Sequence, residues 1–156
     1  MKMLARLGCV ALMLVGVAAC KGAPMMDEAH AQGALVPLSI KTSTTIRKFR
    51  VEVARTVTEQ ARGLMFRESL PDDGGMIFPM NPARNASFWM KNTVIPLDMI
   101  FIRADGSIAR IAAETVPYSL EPVDSGEPVA AVLELAGGKA AALGIAEDDV
   151  VSWEDK

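Results

Sequence analysis

The chain has 156 residues, of which 16 are Lys or Arg and 19 are Asp or Glu, a net charge of −3. Roughly 120 residues remain once an N-terminal leader is set aside, enough for one domain with its own core and too few for a two-domain machine or a repeat array. The acidic balance argues against a nucleic-acid partner, and one histidine, His30, with two cysteines, Cys9 and Cys20, leaves little material for zinc, haem or histidine-based catalysis.

The N-terminus reads as an export signal over residues 1–19. Lys2 and Arg6 give it a basic start, and Leu7 to Ala19 form an apolar run of about thirteen residues. That is short of the ~20 residues needed to cross a bilayer. The run ends in Val17-Ala18-Ala19-Cys20, which resembles a bacterial lipobox, so Cys20 is the expected site of lipid attachment. Acyl chains contribute about 0.8 kcal/mol per buried methylene, and two or more on one cysteine hold a protein stably at a membrane. Loss of the signal removes Lys2 and Arg6, leaving 14 basic against 19 acidic residues, a balance of −5. The competing reading is plain secretion, with cleavage after Ala29-His30-Ala31 and a soluble or periplasmic product. Residues 20–36, with Gly22, Pro24 and Gly33, read as a lipidated cysteine and flexible tether. Lys21 stands where an Asp would resemble an inner-membrane retention signal, which implies an outer-membrane anchor facing the periplasm in a diderm host.

Residues 37–156 read as a single β-rich domain. Val36 to Ile40 is a first strand, and Phe49, Val51 and Val53 alternate with Arg50, Glu52 and Ala54 as a half-buried second one. A helix start follows, with Thr58 as N-cap and Ala61 three residues on, so the capping box is incomplete. Met76 to Met80, Ser87 to Asn92, Pro96 to Arg103 and Ser107 to Ala112 read as strands, with Ala104-Asp105-Gly106-Ser107 as a hairpin turn. Val116 to Pro128 reads as a long loop, Val129 to Leu135 as a strand, Lys139 to Leu143 as a short helix and Val150 to Trp153 as a closing strand. The expected fold is therefore mainly β with one or two short helices, α+β at most, in a compact barrel-like or sandwich-like domain.

The densest motif is Phe88-Trp89-Met90-Lys91-Asn92-Thr93, followed by Ile95-Pro96-Leu97-Asp98. Together with Glu59 to Arg67, Gly75-Met76-Ile77-Phe78, Val132 to Gly138 and Leu143-Gly144-Ile145, it closely resembles the uncharacterised exported family catalogued as domain of unknown function 192. The resemblance covers nearly all of Phe49 to Val151. It implies a compact β-rich domain in exported or lipid-anchored bacterial and archaeal proteins, with no established activity. One departure is Asp148-Asp149, where the family usually has Gly-Asp, so a turn requiring positive φ is expected to differ here.

Six residues stand out as binding candidates: Arg62, Trp89, Lys91, Asn92, Asp98 and Glu134. Asp98 lies in a run apolar on both faces, where an unpaired carboxylate is expensive, and Lys91, Arg62 or Asn92 is its expected partner. Its structural reading is a buried network that fixes strand register, and its functional reading is the floor of a ligand pocket. Glu134 interrupts Val132-Leu133 and Leu135; a buried pair with Arg62 is its structural reading and a pocket acid its functional one. Trp89, between Phe88 and Met90, reads first as core. Arg62 and Arg67 read first as a solvated helix face, with anion binding as the alternative.

No cofactor is expected. A thioether copper site from Met65, Met76, Met80 and Met90 is a weak alternative, because their spacing lacks a Met-x-x-Met pattern and Met commonly fills core gaps. Catalysis is left with a carboxylate pair drawn from Asp98, Glu114, Asp124 and Glu134, or a Ser87 and Lys91 dyad. The leading expectation is a non-enzymatic envelope module that binds a small ligand or an envelope component. Its rival is an envelope hydrolase or lyase using paired carboxylates.

Overall fold

The computed structural model describes residues 34–154, which fall within the compact unit Gln32–Lys156. The expected signal, Cys20 and the tether up to residue 33 lie outside the described residues.

The elements in chain order are β1 (Val36–Lys41), β2 (Ile46–Val53), α1 (Val57–Arg62), β3 (Gly74–Phe88), β4 (Leu97–Ile102), β5 (Ile108–Thr115), β6 (Val123–Ala136), α2 (Lys139–Leu143) and β7 (Val150–Trp153). The fold is mainly β with two short helices, as the sequence predicts. The strands form one sheet in the order β5-β4-β6-β3-β2-β1-β7. Neighbours are antiparallel except β2 and β3, which run parallel with α1 in the crossover between them. The sheet curls until its two ends meet. An isolated bridge joins Ser107 to Val150, the Val151 N–H donates to the Gly106 carbonyl at 2.8 Å, and the Ile108 N–H donates to the Asp149 carbonyl at 2.8 Å. Closure of this kind covers strand edges that would otherwise invite further pairing.

The curl creates two cores. All seven strands contribute to the inner one, which includes Leu38, Ile40, Val51, Ile77, Ile100, Ile102, Ile108, Leu133 and Val151. The outer one lies on the opposite face of β3, β4 and β6, where Met76, Phe78, Leu97, Met99, Phe101 and Val132 are covered by Leu64 and Met90. Strand β4 is thus buried on both faces, which explains why Leu97 to Ile102 reads as an almost unbroken apolar run. Its parity is as expected from the sequence: Leu97, Met99 and Phe101 face outward, Ile100 and Ile102 inward.

Three local readings are corrected. The motif strand ends at Phe88, and Lys91 and Asn92 form a turn in which Asn92 takes φ 56°. Asn tolerates the left-handed region, so the face assignment by alternation fails beyond Phe88. The expected loop to Pro128 is shortened because β6 begins at Val123, paired with Phe88. Pro128 is accommodated opposite Asn85, beside a register shift where a missing N–H is tolerated. The cap of α1 is Thr56, not Thr58. Thr56 Oγ1 accepts from the Glu59 N–H at 3.1 Å, while Glu59 Oε2 accepts from the Thr56 N–H at 2.8 Å, a complete capping box. Thr56→Ala is therefore expected to lower stability by about 1 kcal/mol, with Thr58→Ala close to neutral, as read from urea unfolding midpoints.

At the departure from the family pattern, Asp148 takes φ 67°. The left-handed turn is kept, with Asp in place of Gly, and Asp148 Oδ1 accepts from Arg103 Nη1 at 3.1 Å.

Candidate functional site

A cavity of about 490 Å³ opens on the outer face of the sheet, between α1, β3 and β6. Its walls follow from local sequence choices. Helix α1 delivers Arg62 and stops at Gly63, whose φ is 48°. A Cβ at Gly63 would stand 3.3 Å from Phe78 Cζ, so glycine permits both the turn and the close approach to β3. The chain then drops Leu64 into the outer core. Phe78, Met80 and Phe88 from β3 supply apolar wall, with Phe78 and Phe88 edge to face at 5.1 Å.

Glu134 of β6 lies at the floor. It is in register with Met76 of β3 and Met99 of β4 and is 4 % exposed. Among the described residues no side chain or backbone group gives its carboxyl a hydrogen bond or an ion pair. No described side-chain oxygen or nitrogen is sealed from the surface without a partner, so the Glu134 oxygens face the cavity that they line. Burial pushes its pKa up to about 8.

Asp98 is one register step away, paired with Leu135, and consequently points to the inner face. It is fully buried. Its Oδ1 accepts from the Glu114 N–H at 2.8 Å and the Gly138 N–H at 2.9 Å, and its Oδ2 accepts from the Ala140 N–H at 2.7 Å. The need for partners was legible in the sequence, but the expected partners, Lys91, Arg62 or Asn92, are corrected to three backbone N–H groups. Asp98 ties β4 to β5 and to the first turn of α2, whose own N-cap, Gly138, offers no side chain. Because Asp98 and Glu134 occupy opposite faces, they form no carboxylate pair.

The remaining candidates separate in the same way. Arg62 is exposed on the cavity wall and makes no ion pair with Glu134, so the expected buried pair is absent. Trp89 is 51 % exposed at the rim, which corrects its reading as core. The Lys91 Nζ lies 5.2 Å from the Trp89 ring centroid, a cation–π contact outside the cavity wall. Asn92 braces the rim: its carbonyl accepts from the Phe66 N–H at 2.9 Å and its Nδ2 approaches Met65 Sδ at 3.9 Å. The structure thus gathers Arg62, Trp89 and Glu134 at one cavity, keeps Lys91 and Asn92 at its edge and turns Asp98 away.

Arg67 is not a solvated helix residue either. Its Nη1 and Nη2 donate to Glu52 Oε1 and Oε2 at 2.6 and 2.8 Å, a bidentate pair that fastens the segment after α1 to β2. Ser87 lines the cavity while Lys91 sits over Trp89, so no dyad forms. Met65 and Met80 line the cavity, whereas Met90 is in the outer core and accepts from Thr115 Oγ1 at 3.1 Å. Met76, Met80 and Met90 pack in the outer core, as Met does when it fills core gaps. Arg84 also lines the cavity; sequence reasoning missed it, since it lies in a polar stretch without periodicity.

The sequence matches, over residues 38–153, the family described as domain of unknown function 192, Uncharacterized ACR. A protein of unknown function from Novosphingobium aromaticivorans DSM 12444 is 45% identical, with a TM-score of 0.77 over 90% of this chain and 100% of that one. A protein from Sinorhizobium meliloti 1021, described as a candidate transcription regulator, is 37% identical, with a TM-score of 0.76 over 78% of this chain and 95% of that one. No curated protein matches the chain.

Proposed function

Because this chain belongs to the family of domain of unknown function 192, we propose that its β-rich body is a non-enzymatic binding module that holds a small ligand or envelope component in the cavity floored by Glu134. One observation carries this reading: a carboxyl 4 % exposed, facing a half-open cavity, has no partner among the described residues. An unpaired buried acid costs stability and contributes nothing to the packing around it. A ligand that donates to it accounts for its position. The walls suit recognition, being largely apolar and aromatic with a few convergent polar groups. The transcription role named for the Sinorhizobium relative gains no support from a net charge of −3.

A thermal-shift screen of the purified protein with amines, amino acids, sugars and short peptides tests the reading. A compound that raises the melting temperature of the wild type and not of Glu134→Gln is the expected result. Shifts of equal size in both proteins, or none in either, would reject the cavity as a ligand site.

The module is placed in the cell envelope by a lipid on Cys20, facing the periplasm from the outer membrane. Support comes from the lipobox Val17-Ala18-Ala19-Cys20 and the Lys21 that follows it. Cys20→Ala is expected to abolish fatty-acid labelling and release the protein from membranes. Unchanged labelling would sink the lipoprotein reading and favour cleavage after Ala31.

A second reading rests on the raised pKa of Glu134, which suits a general acid or base near neutrality. Glu134 is the single carboxyl on the cavity wall among the described residues, so paired-carboxylate chemistry has no second member there. Turnover of an envelope polymer that vanished in Glu134→Gln would replace the binding reading.

A further inference from the structure

The cavity carries opposite charges at different depths. Glu134 is buried at the floor, while Arg62 from α1 and Arg84 from β3 line the same space and are exposed. Neither guanidinium makes a hydrogen bond or ion pair with a described residue. These three are the charged groups on the wall, and between floor and rim stand Phe78, Met80 and Phe88. The acid accepts in a poorly hydrated place, where a cationic donor gains most. The guanidinium planes are matched to a carboxylate.

We infer that the cavity, if it is the ligand site proposed above, takes a small zwitterion whose ammonium and carboxylate stand apart, such as a short peptide or an ω-amino acid. The ammonium donates to Glu134, the carboxylate accepts from Arg62 and Arg84 at the rim, and the intervening chain packs on Phe78 and Met80. A volume of about 490 Å³ holds a six-carbon chain with room for bridging water. A simple anion leaves Glu134 unpaired, and a simple amine leaves the two arginines unused.

Binding of 6-aminohexanoate, hexylamine and hexanoate to the purified full chain, measured by calorimetry, separates the two charges at constant chain length. The ω-amino acid is expected to bind at least tenfold more tightly than either single-charge analogue. Glu134→Gln should reduce it to the level of hexanoate, and the double variant Arg62→Ala, Arg84→Ala to the level of hexylamine. The arginines are exposed, so the double variant tests the assignment even if Glu134→Gln folds poorly; melting temperatures identify such a loss. Because the ammonium requires an ionised Glu134, affinity should also rise from pH 6 to pH 8.5 in the wild type and stay level in Glu134→Gln. Hexanoate binding as tightly as 6-aminohexanoate would overturn the inference, as would failure of all three to bind. If another compound still raised the melting temperature through Glu134, the ligand site would stand and only its zwitterion class would fall. If none did, both would fall.

Discussion

Asp98→Ala is expected to destabilise the fold by about 3 to 5 kcal/mol, although Asp98 touches no cation. The substitution strands three backbone N–H groups, that of Ala140 buried and those of Glu114 and Gly138 partly shielded from water. Each buried donor left without an acceptor costs roughly 1–3 kcal/mol. Glu114 is held at φ 48° and Gly138 at φ 79°, so the carboxyl also fastens two left-handed residues. Asp98→Asn keeps one oxygen and presents an NH₂ where an acceptor is needed, and should lose less than alanine but still more than 1 kcal/mol. Lys91→Met should be near neutral, because Lys91 is exposed and contacts Trp89, not Asp98. The double variant should be additive within about 0.5 kcal/mol. Urea unfolding of the four proteins decides the matter. A loss under 1 kcal/mol for Asp98→Ala, or strong coupling to Lys91, would contradict the assigned contacts.

What the sequence made legible follows the physics of each signal. Helix α2 and strand β7 fall where patterning places them, because Gly138 and Gly144 bracket the first and a short β-branched run ends in Trp153 for the second. Strand β4 was readable down to its two faces, since period-two geometry needs no knowledge of partners. The motif Trp89 to Asn92 reads as strand because it continues the extended run that ends at Phe88, although Lys and Asn themselves disfavour strands. Its conformation is set instead by tertiary contacts: the Met90 N–H donates to the Ser119 carbonyl and the Tyr118 N–H to the Thr93 carbonyl. Phe66, Asn92 and Tyr118 take positive φ in this cluster, and nothing local announces left-handed backbone at an aromatic residue. The cap of α1 was a different kind of miss. The Thr-x-x-Glu signal stands at Thr56 and Glu59, two residues before the Thr58 that the sequence pattern suggests as the cap.

The site was half legible. A carboxylate in an apolar run signals that something must satisfy it, and both Asp98 and Glu134 gave that signal. The sequence does not say what satisfies it, because donors come from backbone brought in by distant elements, as at Asp98, or from no described group, as at Glu134. The one-residue offset between them in the β4–β6 register decides everything. It sends Asp98 to the sealed inner core beside α2 and Glu134 to the outer face under α1. Arg67 shows the same limit: alternation assigns Glu52 to solvent, and only the fold brings Arg67 across to bury it.

Between pH 4.5 and pH 8 the contribution of Glu134 to wild-type stability is expected to fall steadily, and Glu134→Gln to escape that loss. Burial raises the Glu134 pKa from 4.5 to about 8, so below pH 4.5 the group is protonated in both folded and unfolded chains and contributes no pH dependence. Above 4.5 the unfolded chain releases its proton while the folded protein retains it. The folded state then holds more protons, and stability falls with rising pH by about 1.4 kcal/mol per unit. Above pH 8 the folded protein ionises too and the loss levels off, after a total of roughly 4 to 5 kcal/mol. Glutamine carries no charge at any of these values. Other groups titrate alike in the two proteins, so the difference between their urea midpoints at pH 5 and pH 9 isolates Glu134. The variant should gain on the wild type across that interval, and a zwitterion bound at the carboxylate should restore the wild type at high pH. Parallel stability curves from pH 5 to pH 9 would show that Glu134 is paired or hydrated in solution, and would remove the unpartnered acid on which the cavity's proposed role rests.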